Sequence, residues 1–194
     1  MAAPKGQFAG NRVSFVTLNY DRSLERYFFL RLKATHQYGN DEECLSELFG
    51  IRFVHVYGSL GDACFKEHPW GRDKPLPDEV QRTANRLRII HEETTGSEDL
   101  AQAVDLIQEA DVLCFLGYGF HSLNNHRLTL NQMAADHSER QKWFTSRYGM
   151  TEVEFRRKTG PFLNRFFHSG YMVGRVGDES DGALEVLRKL PVIE

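Results

Sequence analysis

Residues 110–119 read ADVLCFLGYG, an apolar run that ends in a glycine turn. The run Asp111 to Leu116 is nearly all apolar, which is typical of a parallel strand buried on both faces of a sheet. The turn Gly117-Tyr118-Gly119 ends this strand, since glycine readily adopts turn conformations. Cys114 lies inside the run, so we expect its thiol to be an inert part of the core. The stretch predicts a buried strand followed by a turn at which a ligand can approach the backbone.

Two upstream stretches have the same organisation. Val13 to Leu18 (VSFVTL) is rich in β-branched and aromatic residues and is followed by Asn19-Tyr20-Asp21. Ile51 to Tyr57 (IRFVHVY) is a second predicted strand, followed by Gly58-Ser59-Leu60-Gly61. Each stretch therefore predicts a strand that ends in small or polar residues.

Amphipathic stretches separate the predicted strands. Leu24, Phe28 and Leu32 share one face of a predicted helix that Asp21 or Ser23 can cap. The alternation predicts an α/β fold: a Rossmann-like, mostly parallel sheet flanked by helices, with a helical C-terminal region. The other predicted elements are a helix over Asp41 to Phe49 that stops at Gly50, a loop over Phe65 to Asp78, a short strand over Arg88 to His91, a helix that begins at Ser97, a mostly helical region from Asn124 to Phe167 with a break at Gly160-Pro161, a strand over Tyr171 to Val176 and a helix over Ala183 to Leu190.

Length and composition narrow the class of protein. The chain has 194 residues and shows no internal repeat or linker, so we expect a single domain over residues 1–194. It contains no apolar run of about 18 residues and no apolar stretch at its start, which predicts a cytoplasmic protein without a membrane segment. A net charge of -3 disfavours nucleic acid as a partner. Three scattered cysteines without a CxxC pair exclude a disulfide framework and a zinc knuckle.

The three strand-ending turns predict where a ligand would bind. If the strands are parallel with right-handed crossovers, Asn19-Tyr20-Asp21, Gly58-Ser59 and Gly117-Tyr118-Gly119 lie on one edge of the sheet. Open α/β sheets bind ligands at this edge, because glycines let backbone N–H groups approach and helix N-termini favour anions. The sequence therefore predicts one crevice that holds a carboxamide, a carboxylate and two glycine turns.

Read in order, the segments TLNYDRSLE, YGSLG and ADVLCFLGYGFHSLN resemble the sirtuin-like domains of bacteria, relatives of the silent-information-regulator deacylases. The resemblance covers Val13 to Leu128. Such domains often degrade NAD as effectors of antiphage defence, so the resemblance implies that NAD is the substrate or ligand. The most specific block is the T-x-N-x-D run followed by a leucine and an acid, here Thr17, Asn19, Asp21, Leu24 and Glu25.

The resemblance also implies roles for individual residues. Asn19 would orient the ribose or a water, Asp21 would hold the nicotinamide carboxamide, and Tyr57 would occupy the position of the catalytic base. His55 lies two residues earlier on the same strand face and is the alternative base. The residues expected to contact the NAD molecule are Thr17, Gly58, Ser59, Gly117, Tyr118, Gly119, His121 and Asn124.

The chain departs from the family pattern in two places. The family has a histidine where this chain has Tyr57, and a tyrosine with a pKa of about 10 is a poorer base at neutral pH than an imidazole with a pKa of about 6.5. The family's glycine-rich first loop also has no counterpart in the roughly dozen residues before Val13. We therefore expect a fragment, a lost phosphate site, or a homo-oligomer or partner subunit that supplies the missing part. The deacylases' zinc module is absent as well, which disfavours protein deacylation.

Ordinary structural roles remain open for the same residues. Asn19 and Asp21 can form a turn with a helix cap, His55 can be a hydrogen-bonded core histidine, and Tyr57 can pack its ring. His121 and His126 do not share a helix face, so we expect no metal site. The sequence thus predicts an NAD hydrolase that cleaves the nicotinamide–ribose bond, with a catalytically silent nucleotide-binding or scaffold protein as the alternative.

Overall fold

The protein is a mixed α/β chain in the computed structural model, whose strands pair in parallel. The structure describes residues 6–7, 10–36, 38–60, 77–87, 97–132, 141–168 and 174–189. The elements are β1 (Ser14–Thr17), α1 (Ser23–His36), α2 (Asp41–Phe49), β2 (Arg52–His55), α3 (Pro77–Arg86), α4 (Glu98–Glu109), β3 (Val112–Phe115), α5 (Ser122–Arg127), β4 (Lys142–Thr145), α6 (Glu152–His168), β5 (Gly174–Val176) and α7 (Ala183–Lys189). The predicted α/β class is confirmed.

The chain divides into two compact units, Met1–Ala103 and Val104–Glu194. The first contains a sheet of β1 and β2, and the second contains a sheet with the order β3-β4-β5. The strands pair in parallel in both sheets, as predicted, but the described strands form two sheets and not the single sheet that was predicted.

In the first unit, β1 and β2 run side by side with Thr17 opposite His55. Helices α1 and α2 pack together through one apolar cluster in the core of this unit. Burial of these side chains away from water stabilises the packing. The buried members of the cluster are Phe29, Leu32, Cys44, Leu45 and Leu48.

The buried face of α1 differs from the predicted one. Leu24 is 38% exposed, whereas Glu25 is 2% exposed and takes a position on the inner face beside Phe29 and Leu32. Of the three residues predicted to share one helix face, Leu32 is buried and Leu24 is exposed. The Glu25 carboxylate can be buried because it pairs with His55. The hydrophobic pattern of the sequence does not show such a pair.

Local signals set the ends of α2 as predicted. The side chain of Asn40 caps the first turn by accepting a hydrogen bond from the Glu43 amide at 2.9 Å. Gly50 follows the last residue, and its amide bonds back to the carbonyls of Glu47 and Leu48. The predicted bounds of this helix are confirmed.

In the second unit, the region predicted to be helical from Asn124 to Phe167 contains a strand. Lys142–Thr145 (β4) is the central strand of its sheet and pairs with β3 on one side and β5 on the other. Its aromatic and β-branched residues suit a strand, and two flanking partners satisfy its backbone. The expected break at Gly160-Pro161 is also absent, since α6 continues to His168. A proline removes one helical hydrogen bond, but the neighbouring turns of a long helix can persist.

Strand β3 is confirmed, but its expected burial on both faces is not. Leu113 is buried, whereas Val112 is 43% exposed and Cys114 is exposed. Because β3 is at the edge of the three-stranded sheet and side chains alternate, Val112 and Cys114 share the less covered face. The prediction that Cys114 is a core thiol is therefore wrong.

Most of the remaining predicted elements agree with the structure. Helix α4 follows Ser97, whose hydroxyl accepts from the Leu100 amide, and α7 matches the predicted last helix. Pro77 and Asp78, predicted as loop, begin α3, where proline suits the first turn of a helix. The predicted strand over residues 88–91, the loop up to residue 76 and residues 171–173 of the last strand lie outside the described residues. Among the described residues, no helix has both the length and the apolar character needed to cross a membrane.

Candidate functional site

The loops that follow β1 and β2 meet at the carboxyl end of their sheet. The Leu60 amide donates to the Tyr20 carbonyl at 2.7 Å, and the Val56 amide donates to the Thr17 carbonyl at 3.0 Å. The structure thus brings together the first two of the three predicted turns, as expected of neighbouring parallel strands.

Asn19 and Asp21 present exposed side chains at this end of the sheet. The Asn19 amide donates to Thr17 Oγ1 at 3.1 Å, which holds the start of the loop. Asp21 Oδ1 accepts from the Ser23 amide at 3.0 Å and caps α1. The hydrogen bonds from the Ser23 side chain and amide lower the pKa of Asp21, so its carboxylate is ionised at neutral pH. Asp21 therefore both caps α1 and carries an exposed negative charge.

His55 is a core histidine that bridges two elements. It is 7% exposed, its Nδ1 lies 2.8 Å from the Asn19 carbonyl oxygen, and its Nε2 lies 2.8 Å from Glu25 Oε1. Burial alone would lower the pKa of His55, but the hydrogen bonds to Glu25 and Asn19 outweigh it and raise the pKa. Both nitrogens face acceptors, so the arrangement favours a doubly protonated ring beside an ionised Glu25. In that state neither nitrogen can accept a proton from a substrate.

Glu25 belongs to the block that carries the resemblance, but its burial and its contact with His55 were not predicted from the sequence. Its Oε1 also accepts from Arg22 Nε at 3.0 Å, which completes a short charged chain from Arg22 through Glu25 to His55. Glu25 Oε2 is buried without a hydrogen-bond partner in the described part of the chain. Burial would raise the pKa of Glu25, but the hydrogen bond to His55 and its charge lower it overall. The sequence signal for this residue is its position after the T-x-N-x-D run, since that position falls on the inner face of the helix.

The second loop begins in the core. Tyr57 is only 1% exposed, so its ring belongs to the interior. Gly58 follows with φ +83°, a backbone conformation that disfavours other residues, and its amide bonds to the His55 carbonyl at 3.0 Å. Gly58 and Ser59 are half-buried next to the Tyr20–Leu60 hydrogen bond.

The third turn lies in the second unit, after β3. Gly117 has φ +64°, and its amide donates to Ser146 Oγ at 2.8 Å, while Gly119 has no atom within 4 Å of where a Cβ would be. Tyr118 donates from its hydroxyl to Asn125 Oδ1 at 3.0 Å. The turn is thus held on both sides and leaves backbone accessible at its glycines.

Beyond this turn, the expected and observed polar residues differ. His121 is exposed and precedes α5 without a capping hydrogen bond from its side chain, and Asn124 is half-buried in the helix. The buried amide is the next residue, Asn125, whose Nδ2 donates to the Phe120 carbonyl at 3.2 Å. Neither Asn125 nor Ser146 was expected from the sequence, since their partners are set by the turn conformation.

In the ranges that the structure describes, no three His, Cys, Asp or Glu side chains lie close enough to hold a metal ion. Comparison with known protein families, with curated proteins and with solved structures finds no match to this chain.

Proposed function

We propose that this protein is a sirtuin-like domain that binds NAD and cleaves its nicotinamide–ribose bond. The observation that carries the proposal is the pair of exposed polar side chains, Asn19 and Asp21, at the carboxyl end of two parallel strands and beside the Gly58 loop. Ligands of open α/β sheets bind at this end. The resemblance of the T-x-N-x-D block to bacterial sirtuin-like domains supplies the substrate class.

The reaction suits a site with few acid–base groups. Nicotinamide is attached to ribose through a positively charged ring nitrogen. When the C1′–N bond breaks, its electron pair moves to that nitrogen, nicotinamide leaves as a neutral molecule, and the positive charge passes to an oxocarbenium-like ribose. Water then adds to C1′ and releases one proton to solvent, which gives ADP-ribose. No general acid is required for this leaving group.

The chain's own residues would then position the NAD molecule and stabilise the oxocarbenium-like ribose. The Asn19 carboxamide can hold the ribose or the attacking water, and the Asp21 carboxylate can accept from the nicotinamide amide. His55 supports this loop through the Asn19 carbonyl rather than acting as a base, because both of its nitrogens are engaged. In the second unit, the exposed backbone at Gly117 and Gly119 is available to a nucleotide.

Release of nicotinamide from NAD tests this proposal directly. We expect turnover by the wild type and its loss in Asn19→Ala, with stability within about 0.5 kcal/mol of the wild type because the side chain is exposed. Asn131→Ala, the same change at another exposed asparagine, is the matched control and should keep full turnover. No product from the wild type, or equal turnover in Asn19→Ala, would remove the enzyme assignment.

One observation favours a second candidate, a catalytically silent nucleotide-binding or scaffold protein. Tyr57 stands where the sirtuin-like domains that this chain resembles have their catalytic histidine, and it is only 1% exposed. This candidate predicts that NAD or ADP-ribose raises the melting temperature without any product. A ligand present at a hundred times its Kd would stabilise the fold by about 2.7 kcal/mol, which a thermal shift readily detects.

A further inference from the structure

The His55 ring connects three parts of the first unit. It belongs to β2, it faces the carbonyl of Asn19 in the loop after β1, and it faces Glu25 on α1. The bond to Asn19 reaches the backbone of the very residue whose side chain is exposed at the strand end. The ring therefore couples a buried ionisable pair to the loop that carries Asn19 and Asp21.

We infer that Glu25 and His55 form a protonation-dependent latch on the Asn19–Asp21 loop. The doubly protonated ring holds the loop closed onto β2, and loss of one ring proton releases it. The role of the latch in catalysis rests on the proposed function, whereas the latch itself is a property of the fold.

Hydrogen-bond chemistry links the protonation of the ring to its contacts. A neutral imidazole carries one N–H, so one of its nitrogens would place a lone pair against an acceptor only 2.8 Å away. If the proton on Nδ1 is lost, the contact with the Asn19 carbonyl becomes repulsive. If the proton on Nε2 is lost, the contact with Glu25 becomes repulsive. The buried carboxylate then also loses the positive charge of the ring, which compensates its own charge. Either way the contacts around the ring must rearrange.

The charges around the ring agree with a proton held tightly. Among the described residues, the ionised groups that act on the ring are Glu25 in the first turn of α1, and Asp21 and Arg22 in the loop before it. The facing residue of β1, Thr17, is uncharged. Glu25 and Asp21 favour the imidazolium, while Arg22 opposes it and is itself bonded to Glu25. The net effect is that the pKa of His55 is raised above its ordinary 6.5, so the latch opens on the alkaline side.

Displacement of the loop matters for a bound substrate. A reacting group misplaced by about 1 Å can cost a hundredfold in rate. Glu25 and His55 are thus positioning residues, since neither side chain is exposed to a ligand.

Nuclear magnetic resonance of the full chain tests the latch without any ligand. In the wild type, the His55 ring and the backbone amides of Asn19, Tyr20 and Asp21 should titrate with one shared midpoint above pH 6.5. In Glu25→Gln, which keeps an acceptor but loses the charge, that midpoint should fall. In His55→Gln the loop amides should stop titrating in this range, whereas His126→Gln, a change at an exposed histidine, should leave their titration unchanged.

Loop amides that stay constant while the wild-type ring titrates would overturn the inference, even if a variant failed to fold. Loop amides that still titrate in His55→Gln would also overturn it.

Activity separates the latch from the proposed function. If NAD is the substrate, kcat/KM of the wild type should fall by about ten- to a hundredfold above the shared midpoint, and this fall should be absent in His55→Gln. Absence of turnover and of any thermal shift with NAD would remove the proposed function, while the titration would still decide the latch. Turnover with the same pH profile in wild type and His55→Gln would exclude a catalytic role of the latch.

Discussion

The amide of Leu60 donates a hydrogen bond to the carbonyl of Tyr20 at 2.7 Å and thereby joins the two loops that follow β1 and β2. The bond between His55, the last residue of β2, and the Asn19 carbonyl also holds the first loop. Since both links use backbone atoms of the first loop, the side chains of Asn19 and Asp21 stay available at its surface. This separation of backbone support from side-chain chemistry makes the two residues suitable for mutation.

Substitution of Asp21 separates its structural role from its proposed binding role. Asp21→Ala removes the cap on the Ser23 amide and should lower the free energy of unfolding by about 1 kcal/mol, while Asp21→Asn keeps a capping oxygen and should cost little. If the carboxylate holds the nicotinamide amide, both variants should bind NAD more weakly. Urea denaturation and calorimetric titration measure the two effects. A stable Asp21→Asn with wild-type affinity would show that Asp21 serves only as a helix cap.

Local sequence signals predicted the first two strands and the first two helices well. The apolar runs, the cap at Asp21 and the stop at Gly50 act over a few residues, so β1, β2, α1 and α2 were found close to their true bounds. The meeting of the first two turns followed from parallel pairing alone. The assignment of NAD to this site came from a resemblance, and it stays a prediction.

Long-range contacts explain what the sequence did not predict. Strand β4 is four residues long, and its identity depends on pairing with β3 and β5, which lie far away along the chain. Glu25 is buried because His55, 30 residues further on, offers it a charge. Cys114 is exposed together with Val112 on one face of β3, and which face of a strand is covered depends on contacts that no single stretch encodes.

Alanine at Gly119 tests whether the third turn serves a ligand or only the fold. A Cβ at this position would meet no atom within 4 Å, and no positive φ demands glycine there, so Gly119→Ala should leave stability unchanged or slightly raise it. If a nucleotide approaches this backbone, the added methyl group should weaken ADP-ribose binding. Gly10→Ala, at an equally open glycine outside the proposed site, is the matched control for calorimetric titration.

Gly117→Ala, unlike Gly119→Ala, should lower the free energy of unfolding. Its φ of +64° makes alanine strained, and we expect a loss of about 1–2 kcal/mol in Gly117→Ala. Wild-type ADP-ribose affinity in Gly119→Ala would argue that the turn has no contact with a nucleotide.

Removal of the Tyr57 hydroxyl tests whether this residue acts as an acid or base. Because Tyr57 is 1% exposed and nicotinamide needs no protonation to leave, we expect Tyr57→Phe to release nicotinamide within about tenfold of the wild-type rate. Tyr148→Phe, at a tyrosine that is 71% exposed, controls for loss of a hydroxyl elsewhere. A loss of more than about a hundredfold, with a folded protein, would identify Tyr57 as a proton-transfer group.

The buried Glu25–His55 pair should make the stability of the first unit depend on pH. The pKa of His55 is raised in the folded state, so its contribution is fully present below pH 6.5 and is lost as pH rises through the folded pKa. The pKa of Glu25 is lowered, so its contribution is present above its ordinary 4.5 and is lost as pH falls through the folded value. Stability should therefore be highest between these two ordinary values.

Breaking the pair should be costly because it leaves a buried charge without its partner. We expect Glu25→Ala to lower the free energy of unfolding by about 3–5 kcal/mol at pH 5.5, and by less at a pH above the midpoint of the His55 titration, where the wild type has lost the imidazolium. The exposed pair of Arg156 and Glu152 is the control, and Arg156→Ala, which leaves the contact of Glu152 with Arg147 in place, should cost under about 1 kcal/mol at both pH values. Urea denaturation at the two pH values measures these differences. An equal loss in Glu25→Ala and Arg156→Ala would contradict a stabilising role for the buried pair, since water can replace the missing partner of an exposed charge but not that of a buried one.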